Sequence, residues 1–443
     1  MSRRRKRPSR EPVTATIESL SHEGRGIARV DGKTVFVNET LPGEQVIFQY
    51  TSRHSRYSEA MPLQILVPSP ERVKARCVHY EICGGCSFQH ASPTFQVNQK
   101  QQALREQFEH ISGLQPAEWL PPLTGPVWGY RRRARLVVKY VEKKDRLLVG
   151  FREKYSPFVA DISRCEILHP KVGSMLEELQ SLISGLSICR HLPQIEVAVA
   201  DNATALVLRH LQPVTEDDKR CLEQFETVHG VQFYLQSGGL DTVIPLSVDC
   251  AVPLVYRLEE QALEYFFQPI DFIQVNDVIN QSMVSLAIAL LKIEKTHTVL
   301  DLFCGLGNFS LPLARLGKKV TAVEGDAQLI ERARINAVHN HITNVEFHVA
   351  NLAGSGLSSG FMTQAYDRVL LDPPRTGALD IIRQLDFRHT ECLVYVSCNP
   401  ATLARDAAIL VNDKGFKLQQ AGVMDMFPHT AHIESIVLFT REC

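Results

Sequence analysis

The sequence predicts an α/β protein with a C-terminal doubly wound, Rossmann-like domain, preceded by an OB-like β-barrel and a β-rich middle. From about residue 272, strand-like apolar runs alternate with helix-length segments, which is typical of a parallel sheet covered by helices. Residues 13–67 instead hold short β-type runs separated by turn residues. A chain of 443 residues is too long for one core, so two or three domains are expected.

The composition is that of an ordinary soluble protein, with 44% hydrophobic and 22% charged residues. No apolar run approaches the roughly 20 residues that span a bilayer. The basic N-terminus is not followed by the apolar segment of a secretory signal. We therefore expect a cytoplasmic protein without a membrane partner. Thiols stay reduced there, so the 11 cysteines are not expected to form a disulfide framework.

Charge is distributed unevenly along the chain, although the net charge is only −1. Residues 1–160 contain 26 Lys and Arg against 15 Asp and Glu, whereas residues 161–443 contain 22 against 34. This asymmetry indicates that the basic part binds a polyanion; chance segregation of surface charge is the alternative. Residues 1–10, with six basic and no acidic residues, are predicted to form a flexible arm that either touches phosphate or is a solvated tail.

Residues 11–70 are predicted to form a small β-barrel. Asp31–Gly32 precedes the run Lys33–Val37, and an Asp-Gly pair between alternating runs is a hairpin signal. Five or so short strands within about 55 residues fit an OB-like barrel, a fold that often binds oligonucleotides.

Residues 71–268 are predicted to form a β-rich central domain. It includes one helix at about 93–112, which could pack on the C-terminal domain instead. After the helix, rings and cations are interleaved, a pattern that suits the stacking of splayed bases and contact with phosphates; a solvated edge strand is the alternative. These residues are Trp128, Tyr130, Arg131, Arg132, Arg133 and Arg135.

Four cysteines have the spacing of a metal site. Cys77, Cys83 and Cys86 form a C-x5-C-x2-C run, and Cys165 is a distant fourth thiol. Three clustered thiols and one remote thiol are a common iron–sulfur arrangement. Zinc is an alternative, although structural zinc favours two C-x(2–4)-C pairs and only one is present; thiols without a metal are the third possibility.

Residues 269–443 contain a predicted cofactor loop. The strand Thr298–Phe303 enters a tight glycine turn, Cys304–Ser310, where the backbone can approach a ligand. The next strand, Lys319–Val323, ends at Glu324, at the position that commonly binds ribose hydroxyls. Ser310 stands where the dinucleotide fingerprint has its third glycine. A single-nucleoside cofactor such as S-adenosylmethionine therefore fits better than NAD.

Two further predicted strands end at polar residues. Asn351 follows Val345–Val349 and suits the adenine edge, whereas Asp372 follows Arg368–Leu371 and is held by Pro373–Pro374. Ligands of open α/β sheets lie outside the carboxyl ends of the strands, so these side chains are expected to surround the cofactor. For each residue singly, an ordinary turn is the alternative.

Cys398 follows a buried strand-like run, Cys392–Val396, and is well placed to act as a nucleophile beside the cofactor. The alternative is a small buried hydrophobe, which is what most free cysteines are. Glu434 is the candidate base, with a capping or ion-paired glutamate as the alternative. The nearby His429 either orients the base or is structural.

Methylation of uracil at carbon 5 requires such a set of groups. Carbon 5 is a poor nucleophile, but a thiolate that adds to carbon 6 makes it enolate-like and able to attack a methylsulfonium. A base must then remove the carbon-5 proton so that the thiol can be eliminated.

Four motifs resemble those of the RNA uracil-C5 methyltransferases, and the match extends over essentially the whole chain. They are Asp-Leu-Phe-Cys-Gly-x-Gly-Asn-Phe, Leu-Asp-Pro-Pro-Arg, Val-Ser-Cys-Asn-Pro-x-Thr-x-Ala-Arg-Asp and Phe-Pro-His-Thr-x-His-x-Glu. The resemblance implies that Cys398 is the nucleophile and Glu434 the base. It also implies a [4Fe–4S] cluster on the four cysteines, with a structural role. The residues implied to contact S-adenosylmethionine are Gln274, Phe303, Asn308, Glu324, Asn351 and Asp372.

Within that family, a TRAM-type barrel together with the cluster is typical of the ribosomal-RNA branch. The resemblance therefore implies a monomer that methylates one uridine in a single-stranded or unfolded segment of 23S ribosomal RNA, and DNA is not expected as a partner. One alternative is a sibling enzyme acting on another 23S or transfer-RNA uridine. Another is a non-catalytic iron–sulfur RNA-binding protein, against which the presence of Cys398 and Glu434 argues.

Overall fold

Four β-sheets organise the chain in the computed structural model, which describes residues 11–248, 251–354 and 360–441. The basic arm predicted for residues 1–10 lies outside these ranges. In the part of the chain that is described, no helix has the length and apolar character needed to cross a membrane.

The N-terminal sheet has six strands in the order β1-β5-β6-β4-β3-β2 and agrees with the predicted barrel. The Asp31–Gly32 hairpin is confirmed, because both residues have positive φ (51° and 76°) and the flanking strands pair antiparallel. Ile17, Val37 and Phe48 are buried in its core. The strands are β1 Val13–Thr16, β2 Ser19–Leu20, β3 Gly26–Val30, β4 Lys33–Val37, β5 Gln45–Arg53 and β6 Tyr57–Val67.

The helix predicted at about 93–112 is α1, Pro93–Gln107, followed by one wider turn at Phe108–Ser112. Ser92 caps its N-terminus by accepting a hydrogen bond from the Phe95 N–H. Leu104 and Phe108 are fully buried in a core that they share with residues of the C-terminal sheet. A short strand after it, β7 Glu118–Trp119, joins the edge of that same sheet.

The middle sheet has the order β13-β12-β11-β10-β8-β9. Two helices, α3 and α4, bury Leu179, Ile183 and Leu222 against it. Its strands and helices are β8 Arg133–Val141, β9 Arg146–Gly150, α2 Pro170–Gly173, α3 Leu176–Gly185, β10 Gln194–Val199, β11 Thr204–Arg209, α4 Glu216–His229, β12 Gln232–Gln236 and β13 Val243–Pro245.

The C-terminal part contains a two-stranded hairpin and an eight-stranded sheet in the order β18-β17-β16-β19-β20-β22-β21-β7. Strands β16 to β20 pair in parallel, which confirms the predicted doubly wound sheet. The elements are β14 Leu254–Leu258, β15 Leu263–Phe267, α5 Asp277–Leu291, β16 Thr298–Leu302, α6 Ser310–Leu316, β17 Lys319–Glu324, α7 Ala327–His339, β18 Val345–Val349, β19 Arg368–Leu371, α8 Leu379–Gln384, β20 Cys392–Ser397, α9 Pro400–Asn412, β21 Lys417–Met424 and β22 Glu434–Thr440.

Both faces of the large sheet are buried. In β20, Leu393 and Tyr395 pack on one face with α1 and α9, whereas Val394 and Val396 pack on the other face with α5. This double burial explains why β20 is a continuous apolar run. The carboxyl ends of the parallel strands meet at one edge, which positions the residues that follow each strand.

Candidate active site

The pairing of two strands brings the candidate nucleophile and base together. β20 and β22 are antiparallel, with Ser397 opposite Ser435, and the Ser435 hydroxyl donates a hydrogen bond to the Ser397 carbonyl (3.1 Å). Cys398 is one residue beyond Ser397, and Glu434 is one residue before Ser435. The two candidates therefore flank the last pair of these strands, and the charge of Glu434 acts on the Cys398 thiol.

Cys398 opens into a cleft of about 570 Å³. Its walls include His22 and Glu23 of the barrel, Gly84 of the cysteine-rich loop, Gln107 of α1, and residues of the C-terminal part. Arg131 and Arg375 also line it, so two guanidinium groups border this space.

The carboxyl groups near Cys398 are strongly coupled. Burial, together with the charge of Asp372, raises the pKa of Glu434 well above its ordinary value. Burial and Glu324 raise the pKa of Asp372 to about 7. Burial, followed by Glu434 and Asp372, raises the pKa of Cys398 to about 11. Such a buried acidic cluster favours a cationic ligand, and a sulfonium is one.

Arg375 is the cation that opposes these shifts, because its charge lowers the pKa of both Cys398 and Glu434. Its backbone is held by residues just after the thiol: the Asn399 side-chain amide (2.9 Å) and the Thr402 hydroxyl (3.2 Å) both donate to the Arg375 carbonyl. One of its guanidinium nitrogens lies 3.3 Å from His432 Nδ1.

Helix α9, which follows Cys398 and Asn399, also fixes the rest of the loop after β19. Arg405 donates to the Thr376 carbonyl (2.9 Å), and Asp406 accepts from the Ala378 N–H (2.7 Å) and from the Tyr395 hydroxyl (2.8 Å). The motif Asn-Pro-x-Thr-x-Ala-Arg-Asp thus presents one face of α9 to this loop. Sequence reasoning recognised the motif but missed this role, although the spacing of its polar residues on one helical face was the available signal.

Glu324 ends β17 and binds the glycine turn. Its carboxylate accepts hydrogen bonds from the Gly305 N–H (3.1 Å) and the Gly325 N–H (2.6 Å). Phe303 at the start of that turn has φ 65°, a left-handed conformation that costs about 1–3 kcal/mol in a non-glycine residue. Both predicted cofactor residues therefore lie at the carboxyl edge, beside the glycine turn.

Asn308 contacts residues that sequence reasoning missed. Its amide exchanges hydrogen bonds with that of Asn280 on α5 (2.9 and 3.2 Å), and the Tyr256 hydroxyl donates to Asn308 (3.2 Å). Tyr256 stacks on Tyr265 with ring centroids 4.7 Å apart. No local pattern predicts this contact, because it joins separate elements of the chain.

The other predicted cofactor residues occupy neighbouring segments. Asp372 directly follows β19, and its N–H donates to the Leu302 carbonyl (3.3 Å). Asn351 is exposed just after β18. Gln274 is half-buried before α5, in a segment whose Asn276 pairs with the cleft residue Arg131.

His429 is held by the central part of the chain. It is buried, has φ 64°, and stacks on Trp128 with centroids 3.9 Å apart. Gln96 accepts from its backbone N–H (2.8 Å), and the Ser87 N–H donates to its carbonyl (3.0 Å). Burial, and then the charge of Lys100, lowers the pKa of His429 to about 4. The stacking and hydrogen bonds of His429 favour the structural role over that of an orienter of Glu434.

A buried ion pair fixes the same loop. Lys100 on α1 binds the Asp425 carboxylate (2.7 Å) and donates to the Phe427 carbonyl (2.9 Å). Because both side chains are almost fully buried, loss of either one leaves an uncompensated charge. Sequence reasoning missed Gln96, Lys100 and Asp425.

The predicted stacking and phosphate-binding role of the aromatic and basic run is wrong for most of its members. Tyr130 is buried and donates a hydrogen bond to the Pro428 carbonyl (3.0 Å), and the Trp128 ring stacks on His429. Arg132 pairs with Asp201, and Arg133 binds the Pro269 carbonyl. The run instead connects the middle sheet to the C-terminal part, and of these six residues Arg131 lines the cleft.

The four predicted metal ligands line one cavity, shared with Phe151 and Ile162. Burial raises the pKa of each thiol, to about 12 for Cys86 and about 11 for Cys165. Within the described ranges, no group of three or more cysteine, histidine or carboxylate side chains is arranged to hold a metal ion as it stands. The thiols therefore converge on a cavity without forming a closed ligand set.

Comparisons with known proteins agree with this geometry. The family model described as "tRNA (Uracil-5-)-methyltransferase" matches residues 93–442, and the model of the TRAM domain matches residues 7–60. A relative from Nitrosococcus oceani, named 23S rRNA (uracil(1939)-C(5))-methyltransferase RlmD, is 50% identical over 99% of this chain and 98% of its own length. A relative of the same name from Alcanivorax borkumensis is 49% identical over 100% of this chain and 99% of its own.

Among solved structures, the Pyrococcus abyssi tRNA (uracil-54, C5)-methyltransferase bound to S-adenosyl-L-homocysteine has a TM-score of 0.73. It is 23% identical, with 97% of this chain and all of that chain covered, which shows a common fold. Taken with the sequence relatives, these matches establish that the chain belongs to the tRNA (uracil-5-)-methyltransferase family.

Proposed function

We propose that this protein transfers a methyl group from S-adenosylmethionine to carbon 5 of a uridine in 23S ribosomal RNA, the position numbered 1939 in the names of its relatives. The observation that carries the proposal is that Cys398 and Glu434 flank Ser397 and Ser435, the last residue pair of β20 and β22. In this proposal the barrel (11–70) and central domain (71–268) hold the RNA, in the cytoplasm, over the catalytic domain (269–443).

Cys398 and Glu434 divide the chemistry between them. The Cys398 thiolate adds to carbon 6 of the uracil, which makes carbon 5 nucleophilic. Carbon 5 then bonds to the methyl group as the bond from that group to the sulfonium sulfur breaks, which leaves a neutral thioether. The Glu434 carboxylate removes the carbon-5 proton, and the carbon 6–sulfur bond breaks to release the thiolate. Placement of the two groups on paired strands allows each to reach an adjacent carbon of the same ring.

S-adenosylmethionine supplies an electrophilic methyl group on a sulfonium. We assign its binding to the carboxyl edge of the sheet, where Glu324 suits the ribose hydroxyls and the Gly305 turn allows close approach. The acidic pair of Asp372 and Glu434 favours the sulfonium charge, because both carboxyl groups are buried and coupled. Gln274, Phe303, Asn308 and Asn351 complete the assigned set.

Activity is expected to rise with pH and to depend on Arg375. Addition needs the thiolate, whose pKa is raised to about 11, so the reactive fraction grows as pH increases. We expect kcat/KM to rise almost tenfold per unit between about pH 7 and 9. Arg375→Ala should lower kcat/KM about tenfold relative to wild type at neutral pH and shift the pH profile to higher pH, because the cation that lowers the thiol pKa is gone. Arg375→Lys is the matched control, and profiles that are flat in pH for wild type would contradict the thiolate requirement.

We also propose that Cys77, Cys83, Cys86 and Cys165 hold a [4Fe–4S] cluster. The support is that all four thiols border one buried cavity, although Cys165 is distant in sequence. The group has a structural task here: Ser87 and Phe88, next to Cys86, donate hydrogen bonds to the His429 carbonyl (3.0 and 2.9 Å). A cluster that holds the cysteine loop in place would therefore also hold the loop that precedes Glu434.

Anaerobically purified protein is therefore expected to be brown and to contain about four irons per chain. Cys165→Ala should lose the colour and most of the iron. Cys221→Ala is the matched control, because Cys221 is an exposed thiol on α4 away from the cavity, and it should keep both. Zinc without iron in the wild type, or full iron in Cys165→Ala, would contradict the assignment.

The proposed function is tested by mapping 5-methyluridine in ribosomal RNA from cells with and without the gene. Purified protein is then supplied with S-adenosylmethionine and unmodified 23S RNA. We expect one 5-methyluridine to be lost in the deletion strain and restored in vitro. A change at another ribosomal or transfer-RNA uridine would indicate a sibling enzyme. RNA binding without methyl transfer by cluster-replete protein would favour a non-catalytic role.

A further inference from the structure

We propose that Tyr155 and Phe158 form a stacking platform for unpaired RNA bases beside the target uridine. The inference rests on the proposed function, and it goes further by assigning where the flanking bases bind. In the described part of the chain, the exposed phenylalanine, tyrosine and tryptophan residues are Tyr155 (66%), Phe158 (70%) and Phe272 (69%). Tyr155 and Phe158 lie three residues apart in one turn, whereas Phe272 is close in sequence to Gln274 of the assigned cofactor site.

The segment that carries these rings is an ordered hairpin. Arg152 pairs with Val159, and the Glu153 N–H donates to the Phe158 carbonyl (2.9 Å). The Arg152 guanidinium crosses the turn to the Pro157 carbonyl (2.8 Å). Tyr155 itself has φ 58°, a conformation that a non-glycine residue keeps only when its surroundings impose it. The rings are thus presented on a fixed backbone, which lowers the entropy that a base must offset to stack on them.

One side of the hairpin is continuous with the wall of the catalytic cleft. The Gly84 N–H donates to the Arg152 carbonyl (2.8 Å), and the Lys154 N–H donates to the Ile82 carbonyl (2.8 Å). Gly84 also lines the cleft that contains Cys398. A Cβ at Gly84 would lie 2.9 Å from the Arg152 oxygen, so the hairpin and the cleft wall are in direct backbone contact.

The other side contacts the barrel. Lys154 binds the Glu39 carboxylate (2.6 Å) and lies 3.4 Å from the centroid of the Tyr80 ring. The Tyr155 phenol is close enough to the barrel for the charges of Glu39 and Arg25 to act on it. Arg25 belongs to the same turn as His22 and Glu23, which form the barrel wall of the cleft. The turn that carries the two rings therefore contacts both the cysteine-rich wall and the barrel wall, and the proposal assigns the rings to the rim of the site.

Unpaired bases are the occupant that this surface fits. Each ring offers a π-face, on which any base stacks, and cations at Arg131 and Arg375 lie in the adjoining cleft for the backbone phosphates. The aromatic residues predicted to stack on bases, Trp128 and Tyr130, contact other parts of the protein instead: Trp128 stacks on His429, and Tyr130 donates to the Pro428 carbonyl. A target base in the cleft has neighbours on either side, and the rim is where the chain of nucleotides leaves the site.

The test uses the full-length protein and a fluorescein-labelled fragment of 23S RNA that the wild type methylates. Loss of one stacked base should weaken binding about 5- to 150-fold, so Tyr155→Ala and Phe158→Ala should each raise Kd by at least about fivefold. The slope of log affinity against log salt should not change, because no phosphate contact is removed. Tyr155→Phe and Phe158→Tyr retain the rings and should bind like wild type. Leu211→Ala removes a side chain that is 63% exposed and outside the cleft lining, and it should also bind like wild type.

Two measurements separate the possible failures. The alanine variants should match wild type in unfolding temperature and in affinity for S-adenosylmethionine. The fluorescence of 2-aminopurine placed next to the target uridine should be quenched by stacking in the wild-type complex and should not be quenched in the complexes of the alanine variants. If wild type methylates the fragment and the double variant Tyr155→Ala/Phe158→Ala binds it equally well, the platform is wrong and the proposed function stands. A variant that binds weakly with a flattened salt slope would also overturn stacking, since the loss would then be electrostatic. A wild type that fails to methylate any 23S fragment would overturn the proposed function itself.

Discussion

Replacement of Cys398 by alanine is expected to lower methyl transfer to RNA by at least about 10,000-fold, or about 5 kcal/mol of transition-state stabilisation. Without the thiolate, carbon 5 never becomes enolate-like, and no other group in the proposed mechanism replaces that step. The affinity for S-adenosylmethionine should change by less than a few-fold, because the assigned cofactor contacts come from Glu324 and the glycine turn. Single-turnover kinetics and calorimetric titration measure the two quantities separately.

Cys392→Ala is the matched control for this variant. Cys392 begins the same strand and is buried, with its thiol 3.4 Å from the Leu290 carbonyl, at the opposite end from the cleft. Its replacement should lower stability slightly and leave turnover near that of wild type. Substantial turnover by purified Cys398→Ala would remove Cys398 from the role of nucleophile.

Much of the site could be predicted because parallel strands impose their own geometry. Glu324 and Asp372 each follow an apolar run of strand length, and the carboxyl ends of neighbouring parallel strands must meet. Local sequence was enough to expect them at one edge, and the structure has both there. The Asp31–Gly32 hairpin was predictable for a similar reason, since the conformation of the turn depends on residues that are adjacent in sequence.

Contacts between distant segments could not be predicted in this way. Gln96 and His429 are 333 residues apart, and each presents an ordinary amphipathic or turn-like pattern in its own segment. The basic run at 131–135 misled for the same reason. Arg132 looked free for phosphate, but its partner Asp201 lies in another part of the chain. Composition counts charges, whereas ion pairing depends on which charges the fold brings together.

The opposition of Cys398 and Glu434 is an intermediate case. Each residue could be recognised by its motif, but their closeness depends on the register of an antiparallel strand added to a parallel sheet. A slip of one residue in that register would turn Glu434 to the other face of the sheet. The function of the base therefore depends on strand pairing as much as on its own chemistry.

Glu434→Gln is expected to lower turnover by about 100- to 10,000-fold while a covalent protein–RNA adduct accumulates. Cys398 can still add to carbon 6, and methylation can still follow. The amide cannot remove the carbon-5 proton, so the carbon 6–sulfur bond persists. A denaturing gel with labelled RNA should show the adduct, and the double variant Cys398→Ala/Glu434→Gln should show none. Loss of activity without an adduct would give Glu434 a different task, such as one before or during addition.

The same variant should fold at least as stably as wild type, which separates catalysis from structure. The folded protein raises the pKa of Glu434 by burial and by the charge of Asp372, so it binds this proton more tightly than the unfolded chain does. That difference favours folding at low pH and is lost as pH rises above the ordinary glutamate value toward the folded one. Glutamine resembles the protonated acid at every pH, so Glu434→Gln should unfold at an equal or higher temperature at neutral pH. A clear drop in unfolding temperature would instead show that the ionised carboxylate has a stabilising partner in the folded protein, and would contradict the raised pKa of Glu434.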